Sequence, residues 1–73
     1  MTLTPPKTAD ELLDMYYHDL RSYLLEVAAG FDRIERAGNT DDHRLAKLRA
    51  IATIAVDDNP DRAARLLTTL SVD

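Results

Sequence analysis

The chain has 73 residues, 45% of them hydrophobic and 30% charged, which fits one soluble globular domain rather than a membrane-spanning or disordered protein. Its net charge is −4 and its nine basic residues are scattered, so we do not expect nucleic acid as a partner. A core this small supplies little net stability, and no cysteine is present to form a disulfide. We therefore expect self-association. His18 and His43 are far apart without cysteine nearby, so we predict no metal site and no cofactor.

The first seven residues differ from the rest of the chain. Pro5 and Pro6 cannot continue a helix, and we interpret residues 1–7 as a flexible tail ahead of a single helical domain at residues 8–73. The tail has neither the basic region nor the apolar region of an export signal. We therefore expect a cytoplasmic protein that does not bind membranes.

The first predicted element is a long helix at residues 9–37. Thr8 followed by Glu11 is a capping-box pattern, which marks a helix start. Gly38 comes directly after Arg36 and Ala37, and glycine at this place commonly closes a helix in the left-handed conformation. Gly30 lies inside the run and marks either a kink or a close helix crossing, but we expect the helix to continue through it.

One side of this long helix is apolar. The aliphatic residues at heptad position a recur every seven positions, and they are Leu13, Leu20, Val27 and Ile34. The stripe is widened by Tyr16 and Tyr23 at position d and by Tyr17, Leu24 and Phe31 at position e. Such a wide stripe is typical of a helix that packs against two neighbours in a bundle. We interpret it as the core or dimer face, which comprises Leu13, Tyr16, Leu20, Tyr23, Leu24, Val27, Phe31 and Ile34.

Two shorter helices are predicted to follow, at residues 41–56 and 60–70. Thr40 is the expected cap of the second helix, and Asp41 and Asp42 are expected in its first turn, where acidic residues favour the positive end of the helix dipole. Asn59 and Pro60 are the expected cap and first residue of the third helix.

The third helix is predicted to direct Arg62 and Arg65 outward, opposite an apolar stripe. No stretch of the chain alternates with the period of a strand. The sequence therefore predicts an all-α fold, with one long helix and two shorter helices in an antiparallel hairpin or three-helix bundle. We favour a homodimeric bundle, since symmetric dimers are the commonest soluble oligomers. In the alternative, the two shorter helices cover the long one within a monomer.

The string His18-Asp19-Leu20-Arg21-Ser22, followed by Leu24, resembles the phosphoacceptor box of sensor histidine kinases. In that family the histidine lies on the first helix of a dimeric hairpin and accepts a phosphoryl group. The resemblance implies that His18 is a phosphoacceptor, supported by Asp19 and Arg21. Tyr23 stands where those boxes usually have proline, and 73 residues do not hold the nucleotide-binding domain of such kinases. A solvated helix residue is the other interpretation of His18.

A second contact surface is predicted on the opposite side of the long helix, at Met15, His18 and Leu25, for a protein partner that the sequence does not identify. No serine and histidine pair supports nucleophilic catalysis, and we predict that the protein is not an enzyme. The expected function is a small non-catalytic interaction or regulatory module. The alternative is a histidine phosphotransfer and dimerisation module that acts through His18.

Overall fold

The computed structural model describes residues 7–71, which form three α-helices and no strand. Helix α1 spans Ala9–Ala37, α2 spans His43–Val56 and α3 spans Arg62–Ser71. The predicted all-α class is therefore confirmed. The predicted tail at residues 1–7 lies outside the described residues, except for Lys7. The chain divides between Asn39 and Thr40 into two compact units, of which the first contains α1 and the second contains α2 and α3.

Helix α1 begins where the sequence predicts, because the capping box is formed. The Glu11 N–H donates to Oγ1 of Thr8 at 3.1 Å, and the Thr8 N–H donates to Oε1 of Glu11 at 3.0 Å. These reciprocal bonds satisfy two backbone donors that a helix start would otherwise leave unpaired. The hydrogen bond from the Thr8 backbone also lowers the pKa of Glu11.

Helix α1 ends at the predicted glycine, but in a different conformation. Gly38 has φ 124° and ψ −161°, and its N–H donates to the Glu35 carbonyl at 3.2 Å. The positive φ was expected, whereas the extended ψ lies outside the left-handed helical region that the sequence predicts. This combination is essentially restricted to glycine. Between these ends the helix is unbroken at Gly30, where an added Cβ would meet nothing within 4 Å.

The start of α2 corrects the prediction. The helix begins at His43 and its cap is Asp42, whose side chain accepts a hydrogen bond from the Arg44 N–H at 2.9 Å. The Thr40 hydroxyl instead accepts from the Asp42 N–H at 3.1 Å, so it stabilises the turn before the helix. Neither Asp41 nor Asp42 lies in the first turn. Arg44 also forms an exposed ion pair with Asp42 at 2.7 Å, and its hydrogen bonds lower the pKa of Asp42 to about 2.

Helices α2 and α3 pack against each other within the second unit. The half-buried apolar side chains are Leu45, Ile51, Ala52 and Ile54 from α2 and Leu66 from α3. Helix α3 begins at Arg62 rather than at residue 60, and Asp61 before it has φ 60° while its carbonyl accepts from the Arg65 N–H at 2.9 Å. The predicted pair of Asn59 as cap and Pro60 as first helical residue is therefore wrong. Both residues belong to the loop.

Candidate functional site

The apolar face of α1, defined here as the eight residues from Leu13 to Ile34 that the sequence predicts, is the most prominent surface of the first unit. Within residues 7–71 no side chain is buried. Every large apolar side chain of α1 except the half-buried Phe31 is at least 39% exposed. Leu13, Leu20 and Tyr23 are 58%, 51% and 63% exposed. Soluble proteins rarely leave so long an apolar stripe in water unless another surface covers it.

A shallow apolar groove runs along part of this face. Seven residues line it, three of them from the predicted face, and they recur every three or four positions along two adjacent rows of the helix. The lining residues are Leu13, Tyr17, Leu20, Arg21, Leu24, Leu25 and Ala28. The sequence interpretation placed Tyr17 in the wider apolar stripe and Arg21 beside the candidate phosphoacceptor, but named neither of them, nor Ala28, among the eight residues of the face. Tyr17 follows Leu13 by four residues, Arg21 follows Tyr17 by four, and Ala28 follows Leu24 by four, and this helical spacing is the signal that identifies them.

The groove also changes the position assigned to Leu25. The sequence interpretation placed Leu25 with Met15 and His18 on a separate partner surface. All three are exposed, Met15 by 51% and Leu25 by 56%, but Leu25 lines the same groove as Leu20 and Leu24. Met15 and His18 do not line it. Leu25 therefore lies at the edge of the apolar face, and the two other residues lie beyond that edge.

His18 is exposed on α1, and its ring meets the ring of Tyr17 edge to face with centroids 5.5 Å apart. Asp14 and Ser22 lie one helical turn before and after it. No hydrogen bond to the imidazole is seen among the described residues that would fix its tautomer. The position leaves the ring open to a reacting partner, and it lies away from the a positions of the apolar face.

The charges of α1 are unevenly distributed along its length. From Ala9 to Leu20 the charged side chains are all acidic: Asp10, Glu11, Asp14 and Asp19. From Arg21 to Ala37 three arginines balance three acids: Arg21, Arg33, Arg36, Glu26, Asp32 and Glu35. The N-terminal half of the helix is therefore strongly acidic and the C-terminal half is neutral.

The second unit contains an ion pair that sequence reasoning missed. The Arg65 guanidinium donates to both carboxylate oxygens of Asp57, at 2.6 and 2.8 Å, and also to the carbonyls of Asn59 and Pro60, at 3.0 and 2.9 Å. The predicted outward direction of Arg65 is therefore wrong, since its side chain is half-buried against the loop. Arg62 donates to the Asp57 carbonyl. Two-pronged pairing of this kind is geometrically specific and fixes the turn between α2 and α3.

The ion pair with Arg65 changes the pKa of Asp57. The hydrogen bonds from Arg65 lower its pKa to about 2, and the same pair raises the pKa of Arg65. The carboxylate therefore stays ionised well below neutral pH. Because the two partners are eight residues apart and both face the loop, this pair supports the hairpin rather than a reaction.

The described residues offer neither a membrane-spanning helix nor a metal site. In residues 7–71 no helix is both long enough and apolar enough to cross a bilayer. The same residues contain no group of three or more histidine, cysteine or carboxylate side chains arranged to hold a metal ion. Exposed apolar surface is thus the main chemical feature that the described residues offer.

Comparisons with family models, with curated proteins and with solved structures found no match to this chain.

Proposed function

We propose that this protein is a small non-catalytic helical interaction module that associates with itself through the apolar face of α1 and presents the remaining surface of that helix to a protein partner. The observation that supports this proposal is the exposure of the apolar face, where Leu13, Leu20 and Tyr23 are each more than half exposed. Fully burying one leucine contributes about 1.5–3 kcal/mol, so covering the exposed half of each contributes about 1 kcal/mol. Summed along the face, this is enough to drive association.

The position of the tyrosines makes the proposal easy to test. All three tyrosines of the chain, Tyr16, Tyr17 and Tyr23, lie on α1, and the chain has no tryptophan. Tyrosine emission therefore reports on α1 alone. We expect acrylamide to quench this emission weakly at high protein concentration and more strongly on dilution, as the face becomes exposed. Equally strong quenching at every concentration would contradict self-association through α1.

A second candidate function is phosphotransfer through His18, and the observation that favours it is the exposed position of the imidazole on α1. Under this proposal His18 accepts a phosphoryl group from a phosphodonor protein or a small phosphodonor such as acetyl phosphate. His18→Gln keeps a polar side chain at an exposed site and should leave the helix content unchanged. Acid-labile labelling of the wild type that is lost in His18→Gln supports the proposal, whereas equal labelling of both, or none, counts against it.

A further inference from the structure

We propose that α1 pairs with α1 of a second copy of this chain in antiparallel orientation, in the register that places Leu20 opposite Gly30 of the second copy. This inference rests on the proposed self-association and specifies its geometry. We call the line of contact between the two α1 helices the seam. In this register the numbers of two residues that face each other across the seam add up to about 50, so Tyr16 faces Ile34 and Tyr23 faces Val27. The seam then runs from Leu13 to Ala37 and uses the whole apolar face.

The charge distribution of α1 favours antiparallel pairing. A parallel pair would align the acidic N-terminal half of one helix, which carries Asp10, Glu11, Asp14 and Asp19, with the same four acids of the other. An antiparallel pair aligns each acidic half with a neutral half that contains Arg33 and Arg36, and it also opposes the two helix dipoles favourably. The like-charge repulsion is then largely avoided.

The same charges favour this register over the one shifted by a heptad toward the N-terminus. Asp19 and Arg33 occupy the g positions of the heptad, which face each other across an antiparallel seam. In the register where facing residue numbers add up to about 50, Asp19 lies beside Arg33 of the second copy. Because the dimer is symmetric, this pair occurs twice. A shift of one heptad toward the N-terminus would instead set Asp19 beside Glu26. The favoured register contains one unfavourable like-charge contact, which lies between the two copies of Glu26.

Gly30 provides an independent argument. Glycine inside a helix is destabilising relative to alanine, yet in this chain a Cβ at Gly30 would meet nothing within 4 Å. Among the residues that the structure describes in one copy, none therefore requires a glycine at this position. Opposite Leu20 of a second copy, the missing side chain provides the hole into which the leucine fits. A parallel pair would instead set the two copies of Gly30 against each other and leave a void.

The e positions complete the interface. Tyr17, Leu24 and Phe31 are all apolar, and e positions face each other only when the two helices are antiparallel. In the proposed register Tyr17 lies beside Phe31 of the second copy, and Leu24 lies beside its own counterpart. These contacts place one side of the groove, formed by Tyr17, Leu20 and Leu24, inside the interface, while Arg21, Leu25 and Ala28 on its other side lie outside it.

A charge exchange tests the register. Asp19→Arg and Arg33→Asp each set two like charges together, and each should raise the dimer dissociation constant roughly tenfold at low salt. The double variant restores opposite charges and should return the constant to within about threefold of the wild type. Within one copy these residues are about 21 Å apart along the helix, so rescue requires contact between copies. Two additive losses without rescue would overturn the register.

Distances between spin labels test the orientation, and the chain has no natural cysteine to interfere. In the antiparallel register, labels on Ala9→Cys are separated by about 48 Å along the axis, since each lies 16 residues from the centre of the pair. A parallel pair would bring them within about 25 Å. The control Ser22→Cys should give a distance under about 30 Å in either orientation.

The outcomes separate the two proposals. A long distance for Ala9→Cys together with a short distance for Ser22→Cys supports the antiparallel pair. Short distances for both variants overturn the orientation but leave self-association through α1 intact. The absence of any distance between copies, at a protein concentration in the hundred-micromolar range, overturns both this inference and the proposed self-association.

Discussion

Leu20→Ala tests the energetic basis of the proposed self-association, because Leu20 lies in the middle of the apolar face and is 51% exposed in the single chain. Fully burying a leucine contributes about 1.5–3 kcal/mol, so covering its exposed half contributes about 1 kcal/mol. A symmetric dimer contains two such residues, and truncating both costs about 2 kcal/mol. At about 1.4 kcal/mol per factor of ten, the dimer dissociation constant should rise roughly 30-fold.

The assay is sedimentation equilibrium of the wild type and Leu20→Ala over a wide range of loading concentrations. Ser22→Ala is the matched control, because Ser22 lies two residues away on the same helix and outside the groove that Leu20 lines. Alanine favours the helix at both positions, so loss of helix does not explain a weaker dimer. Circular dichroism at each concentration checks this directly. A dissociation constant for Leu20→Ala within about twofold of the Ser22→Ala value would refute the assignment of the apolar face to self-association.

Three further predictions concern local structure. The folded pKa of Asp57, about 2, lies below the unfolded value of about 3.9, so the stability from its pair with Arg65 is present above about pH 4 and is lost as the pH falls towards 2. Protection factors of the α3 amides, which compare each exchange rate with the intrinsic rate at the same pH, should fall over this range in the wild type. Asp57→Asn should show lower protection factors at pH 7 and lack the acid-dependent fall. Thr8→Ala removes one half of the capping box and should cost about 1 kcal/mol, measured as faster amide exchange in the first turn of α1, while Lys7→Ala should have little effect. Gly38→Ala forces a side chain into a backbone with φ 124° and should cost about 1–3 kcal/mol by urea denaturation, and an unchanged midpoint would contradict the strain argument.

Local capping chemistry explains why the limits of α1 could be predicted. Thr8 and Glu11 satisfy each other's backbone donors, and Gly38 has no competitor as the residue that ends the helix. Both signals involve residues within four positions of one another. The sequence therefore contained all the information needed to place both ends of the helix.

The starts of α2 and α3 were harder to predict because several capping residues compete there. Thr40 and Asp42 are both good caps, and only the structure shows that the Thr40 hydroxyl is used one step earlier, by the Asp42 N–H. At α3 the decision depends on Arg65, which binds the carbonyls of Asn59 and Pro60 and so holds both residues in the loop. That contact depends on how the loop folds back, which no spacing rule describes.

The candidate surface, too, could be predicted only in part from the sequence. The period of the apolar residues predicted the face of α1, since helix geometry alone places Leu13, Leu20 and Leu24 on one side. The period also placed Tyr17 in the stripe, whereas the groove added Leu25, which the sequence interpretation had assigned to a separate partner surface. The occupant of the face is not encoded in the period. The proposal of a second copy depends on the charge distribution of α1 and on Gly30. Both features become informative only when the α1 helices of two copies are placed side by side.

The most direct test of self-association through α1 is the solution mass of the wild-type protein by light scattering across a hundredfold range of concentration. The chain has a mass of 8.2 kDa. We predict about twice this mass at high concentration, with a fall towards the single-chain value on dilution. The mass of a single chain at every concentration would contradict the proposal that the apolar face of α1 is covered by a second copy.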